Sequence, residues 1–298
     1  MSKYIKLFKQ TIKIGGSFLP ADFPYFDNAA ISNLIGCDFT ERVKTVYELI
    51  TNRKFNSEFL SSVKVAQYPA SVVSVDDGVN LLELIDGQSA DYTDYIFDKT
   101  DLLGKIASII AVLFSAYCDL VESGQLELNQ KFNIALTQNE SAFILASIIA
   151  KKIGLPIGII TVATLKPVNL KVNDCYFEDF SESEIDDVIS EFFEEYDYPL
   201  DPISASAFIP LVSFVNDYDD DGVFLMPMLI SPYKFSRKVL KAITGKNQLD
   251  VSKAERMLYN ETAMEIPSVF TSDNTKKFFA KPNIIEFNEV LQVLNQFI

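Results

Sequence analysis

The sequence contains no histidine, no tryptophan and only three cysteines. Without histidine the protein lacks the usual general base near neutral pH and the commonest metal ligand, so a Ser-His-Asp or Cys-His hydrolase and a histidine-ligated zinc site are excluded. Cys37, Cys118 and Cys175 are widely spaced and odd in number, so they form neither a metal motif nor a disulfide framework. This usage is typical of a reducing compartment, and we expect a cytoplasmic protein.

Long apolar runs are also missing. The longest candidate, residues 106–117, is too short to cross a bilayer and predicts a buried helix instead. The amino terminus carries four lysines within its first thirteen residues. Because it has neither a long apolar run nor a small-residue cleavage site, we expect no secretory signal.

Charge is distributed unevenly along the chain, whose formal net charge is -15. Residues 172–233 contain sixteen acidic residues and no basic one, whereas residues 234–256 contain seven basic and two acidic residues. The acidic excess repels nucleic acid and anionic lipid, so we expect neither a nucleic-acid nor a membrane partner.

Hydrophobic periodicity predicts an α/β protein. A buried strand at 132–136, a helix at 139–153 and an apolar strand at 157–162 form a βαβ unit, which requires a parallel sheet with a right-handed crossover. The same criteria predict a hairpin over 72–84 around Asp77-Gly78, a strand at 223–230, and helices from an N-cap at Thr40 to Thr51 and over 101–122, 182–196, 231–244 and 285–298.

Three turns follow predicted strands, where open α/β sheets bind their ligands: residues 86–89, 137–142 and 228–231. A phosphate-binding turn needs glycines so that backbone N–H groups approach the anion. The second turn has none, and the carboxylate of Glu140 would oppose a dianion at the helix N-terminus. Helix capping by Gln138 or Asn139 is therefore the favoured interpretation of this turn.

The acidic segment contains half of a calcium-binding pattern. Asp217, Asp219 and Asp221, followed by Gly222, match D-x-D-x-D-G, but the twelfth position is Met228 instead of a bidentate carboxylate. A solvated acidic turn is favoured, and calcium stays a weak alternative.

Four segments in consistent order carry a family resemblance: G-S-F-L-P from Gly16, L-E-L-I-D-G from Leu82, A-K-K-I-G-L-P-I from Ala150 and S-P-Y-K-F from Ser231. They resemble segments of threonine synthase, a pyridoxal-phosphate (PLP) enzyme. The resemblance implies a parallel-sheet, three-layer large domain of the tryptophan-synthase-β-like PLP fold (fold type II), with the small domain largely missing. It further implies an N-terminal segment at 1–85 and a large-domain remnant at 86–298, with an acidic insert around 172–222.

The same resemblance implies that the family's chemistry has been lost. The Schiff-base lysine falls on Thr93, which has no amine and precedes a retained Asp94. The family's histidine falls on Asp86, the threonine beside the pyridine ring falls on Leu229, and the glycine-rich phosphate loop falls on the turn holding Gln138, Asn139 and Ser141. These positions mark a vestigial cleft, in which we expect no catalytic residue and no bound cofactor.

The sequence supports one hypothesis about function and two alternatives to it. The first is a pseudoenzyme that acts by binding a protein partner or by forming a homo-oligomer. The second is an active PLP-dependent, threonine-synthase-like lyase with a rearranged site. The third is a calcium or small-molecule binder that uses the acidic loop.

Overall fold

The computed structural model describes residues 10–55, 69–76, 78–85, 91–271 and 284–297. The strands are β1 (Thr11–Ile14), β2 (Ser17–Pro20), β3 (Ser71–Ser74), β4 (Val79–Glu83), β5 (Phe132–Thr137), β6 (Ile157–Thr164), β7 (Cys175–Asp179) and β8 (Phe224–Met228). β1 and β2 form a separate hairpin, and the other six form one sheet in the order β3-β4-β8-β5-β6-β7. Only β3 is antiparallel to its neighbour within this sheet.

The helices lie between and beyond these strands. They are α1 (Asn28–Ser32), α2 (Phe39–Thr51), α3 (Leu102–Glu122), α4 (Ser141–Lys152), α5 (Glu182–Tyr196), α6 (Pro202–Tyr218), α7 (Ser236–Thr244), α8 (Val251–Thr262), α9 (Ser268–Thr271), α10 (Phe287–Leu291) and α11 (Leu294–Phe297). Three short 3-10 helices span Tyr92–Tyr95, Gln138–Glu140 and Pro232–Phe235.

The sheet is buried on both faces, as a parallel sheet must be. Successive residues of β4 point to opposite faces, so Leu82 joins the core under α2, α3 and α4 while Leu81 joins the core under α5, α6 and α7. β8 alternates in the same way, with Leu225 in the first core and Met226 in the second. The result is the expected three-layer α/β architecture.

The predicted βαβ unit is confirmed. β5 is buried along its whole length, α4 follows it, and β6 returns parallel to β5 with Leu136 opposite Val162. Gly154 ends this helix with a φ of +113°, and a side chain there would collide with the backbone carbonyl of Phe26. The apolar pattern and the glycine therefore both serve packing.

α3 is the central helix of the first core. It is long and apolar enough to cross a membrane, yet 83% of its most apolar window is buried inside the protein. Arg53, just beyond α2, binds Asp98 and also Asp101, the N-cap of α3, at 2.6 Å. A second guanidinium, Arg42, binds Asp119 at 2.6 Å. These ion pairs fasten α2 and the residues after it to α3 and the loop before it.

Some element boundaries differ from those predicted. The N-cap of α2 is Asp38 and not Thr40, because the Asp38 carboxylate accepts a hydrogen bond from the backbone N–H of Glu41 at 2.9 Å. The predicted helix over 285–298 is two short helices, α10 and α11. Residue 77 of the predicted hairpin lies outside the described residues, although β3 and β4 do pair as predicted. The division at residue 85 stays a prediction; the sheet takes strands from both sides of it.

Candidate functional site

The turns after β4, β8 and β5 meet at the carboxyl edge of the sheet. The backbone N–H of Tyr92 donates to the carbonyl of Leu229 at 2.9 Å, and Asp91 bridges to Ile230. The Tyr92 ring meets Phe143 edge-to-face at 5.3 Å, which joins these two segments to the start of α4. The structure therefore brings together the regions of Thr93, Ser141 and Leu229. Asp86 lies outside the described residues.

Thr93 occupies the position that the resemblance assigns to the Schiff-base lysine. Its hydroxyl donates to the Asp91 carboxylate at 2.6 Å, and its backbone N–H contacts the same oxygen at 3.2 Å. Asp91 thus caps the 3-10 helix Tyr92–Tyr95, in which Asp94 is the acidic residue of the first turn. Thr93 is held as part of a local cap and offers no amine for covalent attachment.

Lys234 brings an amine to this edge of the sheet. Its Nζ lies 3.5 Å from the second oxygen of Asp91, with side chains only 10% and 15% exposed. Its charge also acts on Asp201, a fully buried carboxylate that caps α6. Burial raises the pKa of Asp201 to about 6, against hydrogen bonds from Ser204 and the backbone and the attraction of Lys234.

Two side chains of the turn after β5 form hydrogen bonds with backbone groups of other segments. The Gln138 carbonyl oxygen accepts from the backbone N–H of Leu165 at 3.0 Å, and the Ser141 hydroxyl donates to the backbone carbonyl of Ile285. Asn139 is exposed. The predicted cap by Gln138 or Asn139 is wrong, since the N-cap residue of α4 is Glu140, which makes no capping hydrogen bond. A 3-10 turn leads into the helix in place of an open loop.

Glu140 places a carboxylate where an anion would bind. The residue is 6% exposed and directly precedes α4, whose N-terminus carries partial positive charge. Burial, followed by the charges of Glu140 and Asp91, raises the pKa of Tyr92. With a carboxylate at the helix N-terminus and the Ser141 hydroxyl bonded to Ile285, the turn does not fit a phosphate group.

Leu229 occupies the position that the resemblance assigns to the threonine beside the pyridine ring. Its side chain is 2% exposed and belongs to the first core, so it presents no hydroxyl to a ring nitrogen. The described residues at the family positions therefore do not fit PLP: Thr93 offers no amine, Leu229 offers no hydroxyl to the ring, and Glu140 lies where the phosphate would bind.

Carboxylates of the acidic loop form hydrogen bonds within the protein, and the loop ends α6. Asp217 accepts from the Tyr176 hydroxyl at 2.9 Å, and Asp219 ends α6 with a φ of 51°. Asp220 accepts from the backbone N–H of Gly222 at 2.8 Å, whereas Asp221 makes no such contact. Within the described ranges no group of three or more His, Cys, Asp or Glu side chains is arranged to hold a metal ion. The calcium alternative gains no geometric support.

Comparison with solved structures gives several matches of high similarity in fold. The PLP-bound threonine synthase of Brucella melitensis superposes with a TM-score of 0.62 at 12% identity, over 82% of this chain and 89% of that one. Threonine synthase of Escherichia coli gives 0.61 at 15% identity, over 87% and 92%. The yeast enzyme gives 0.62 at 13% identity, over 89% and 92%.

The chain has the threonine synthase fold. No family model matches the sequence, and no curated protein matches it either. At 12–15% identity the likeness establishes the fold alone, because one fold supports many chemistries and function depends on the site.

Sequence reasoning missed three residues of this edge. Asp91, Asp201 and Lys234 were not among the predicted site residues, although all three are charged and largely buried. One local signal was available: Asp201-Pro202 is a typical N-cap and first-turn pair, which predicts a helix start and hence a buried cap.

Proposed function

We propose that this protein is a pseudoenzyme with the threonine synthase fold, which does not bind PLP and acts by binding another protein or itself. Three free cysteines without a disulfide support a reducing, cytoplasmic setting. The acidic surface of residues 172–233 supports a partner that is neither nucleic acid nor membrane.

The turn from Gln138 to Ser141 carries the proposal. A PLP phosphate needs backbone N–H groups and hydroxyls that are free to donate, together with positive potential. Here the Ser141 hydroxyl is bonded to Ile285 and a carboxylate, Glu140, is buried at the helix N-terminus. Thr93 adds the loss of the covalent anchor. Each loss weakens the cofactor site separately, so together they favour a protein without PLP.

A PLP titration followed by visible absorbance tests the proposal. We expect no saturating aldimine band in the pure protein, only weak absorbance from exposed lysines in large excess, and no change in melting temperature. Lys234→Met, measured in parallel, is the matched control and should behave like the wild type. An aldimine band that saturates, and that borohydride fixes to one lysine, would refute the proposal.

One observation favours the alternative of a rearranged PLP-dependent lyase. Lys234 places a largely buried amine 3.5 Å from Asp91, two residues before the Thr93 position. If PLP were bound here, this amine would be the first candidate for attachment. The same titration separates the two functions: a saturating band that Lys234→Met abolishes would establish the alternative, because the pseudoenzyme predicts no saturating band in either protein.

A further inference from the structure

One surface of the molecule is an apolar groove with an acidic rim, here called the acidic groove. It has a volume of about 420 Å³ and lies at the amino ends of β4 and β8. Its floor includes Phe208 and Val212 of α6, with Val212 40% exposed, and Asp220 and Asp221 lie on its rim. Tyr218, at the end of α6, is 63% exposed.

A second surface has the opposite character and is here called the basic ridge. Arg237, Lys238 and Lys241 recur at helical spacing on α7 and, with Asp186, line a crevice of about 480 Å³. Leu249, at the edge of this crevice, is 77% exposed, which is the highest value among the large apolar residues in the described part of the chain.

Val251, which also lines the crevice, is 48% exposed, and Tyr259, further along α8, is 46% exposed. Single exposed apolar residues need no explanation, but Leu249 and Val251 lie together beside a cluster of cations, which is typical of an interaction site.

The groove and the ridge carry opposite charges around apolar surface. The groove is apolar with Asp220 and Asp221 in its lining, whereas the ridge exposes Leu249 beside Arg237, Lys238 and Lys241. Lys241 and Asp221 have no ion-pair partner among the residues that the structure describes. Opposite charges around matching apolar surfaces fix the register of an interface and speed encounter.

The two surfaces cannot meet within one molecule. Asp186 of α5 lines the ridge crevice, where it contacts Lys238 at 3.3 Å, and Tyr196 at the far end of the same helix lines the groove. These residues are ten positions apart, or about 15 Å along a rigid helix. Only a ridge from another molecule can enter the groove.

We infer that the partner of the acidic groove is the basic ridge of a second copy, so that the protein self-associates head to tail. This inference rests on the proposed function and names the partner that it requires. Because the two contacting surfaces differ, the contact is heterologous and leaves one free surface at each end. Assembly therefore continues beyond a dimer.

Sedimentation velocity over a range of concentrations tests the inference. We expect the wild-type protein to form species larger than a dimer as concentration rises, and to dissociate as salt screens the charges. Leu249→Asp on the ridge and Val212→Asp in the groove should each weaken association by about tenfold or more. Leu128→Asp is the matched control, since Leu128 is also 40% exposed and lies outside both surfaces; it should assemble like the wild type.

A mixing experiment adds a sharper criterion. The Leu249→Asp protein keeps an intact groove and the Val212→Asp protein keeps an intact ridge, so an equimolar mixture should form a dimer and nothing larger. A wild-type protein that stays monomeric, or a mixture that forms no dimer from folded variants, overturns the inference. A wild-type assembly that stops at a closed dimer, or that needs an added basic protein, overturns it as well. None of these results changes the PLP titration, so failure here is distinct from failure of the proposed function.

Discussion

Charged groups are buried in two regions of the protein, and they are used differently in each. Between α2 and α3, the Arg53 guanidinium meets both Asp98 and Asp101, so positive charge is matched by carboxylates. At the carboxyl edge of the sheet, Glu140 and Asp201 are buried, and Lys234 is a largely buried cation 3.5 Å from Asp91. The first region holds the scaffold together. The second lies where the resemblance places a ligand site, and we propose that its buried carboxylates oppose an anionic ligand.

The largest expected effect comes from the scaffold region. Asp98→Ala removes the partner of Arg53 and of the Tyr47 hydroxyl, where the ion-pair side chains are 8% and 7% exposed. The buried guanidinium would keep only the partly exposed Asp101 as a carboxylate partner, so the free energy of unfolding should fall by about 3–5 kcal/mol, measured by urea denaturation. The exposed pair Lys246–Glu261 supplies the control, because Lys246→Ala should cost no more than about 1 kcal/mol. Equal effects of the two changes would contradict the comparison.

A smaller effect on the free energy of unfolding, one that depends on pH, is expected at the carboxyl edge. Because burial raises the pKa of Asp201 to about 6, the folded protein keeps a proton that the unfolded chain releases near pH 4. The contribution of this group to the free energy of unfolding therefore falls as pH rises from about 4 to about 6. Asp201→Asn keeps a capping side chain without the titration. It should flatten the pH dependence over that interval by about 1–3 kcal/mol. An unchanged pH profile would show that the carboxylate is not desolvated in solution.

The smallest effect is expected for Thr93→Lys, which should not create a PLP site. Thr93→Lys restores an amine at the family position but leaves Glu140 at the helix N-terminus and Ser141 bonded to Ile285. We expect this variant to show no saturating aldimine band when it is titrated with PLP. A saturating band from this single change would mean that the lysine was the only essential loss and that the edge still accommodates the phosphate.

The βαβ unit could be predicted because its apolar periodicity is a local property of the sequence. β5, α4 and β6 are apolar at the right period and end at Gly154, so the predicted unit is correct. α6 was missed because Pro210 lies inside it, and a proline in a helix interior removes a backbone hydrogen bond and usually breaks the helix. β7 was missed because its five residues are mixed in polarity and half-buried at the sheet edge.

The site was predictable only where a family position marks it. Thr93, Ser141 and Leu229 were identified from the resemblance, and the structure gathers their segments at one edge. The ion pair of Lys234 with Asp91 joins residues that are far apart in sequence, and neither residue type signals burial. Long-range charge pairing of this kind depends on the assembled sheet, which no local pattern encodes.

The intact mass of the protein after incubation with PLP and borohydride tests the central claim most directly. Specific attachment through a lysine would be fixed as one added pyridoxyl group. The account predicts an unmodified mass at stoichiometric PLP, with only scattered, non-saturating labelling of exposed lysines in large excess. A single adduct formed at stoichiometric PLP, on Lys234 or on any other one lysine, would contradict it.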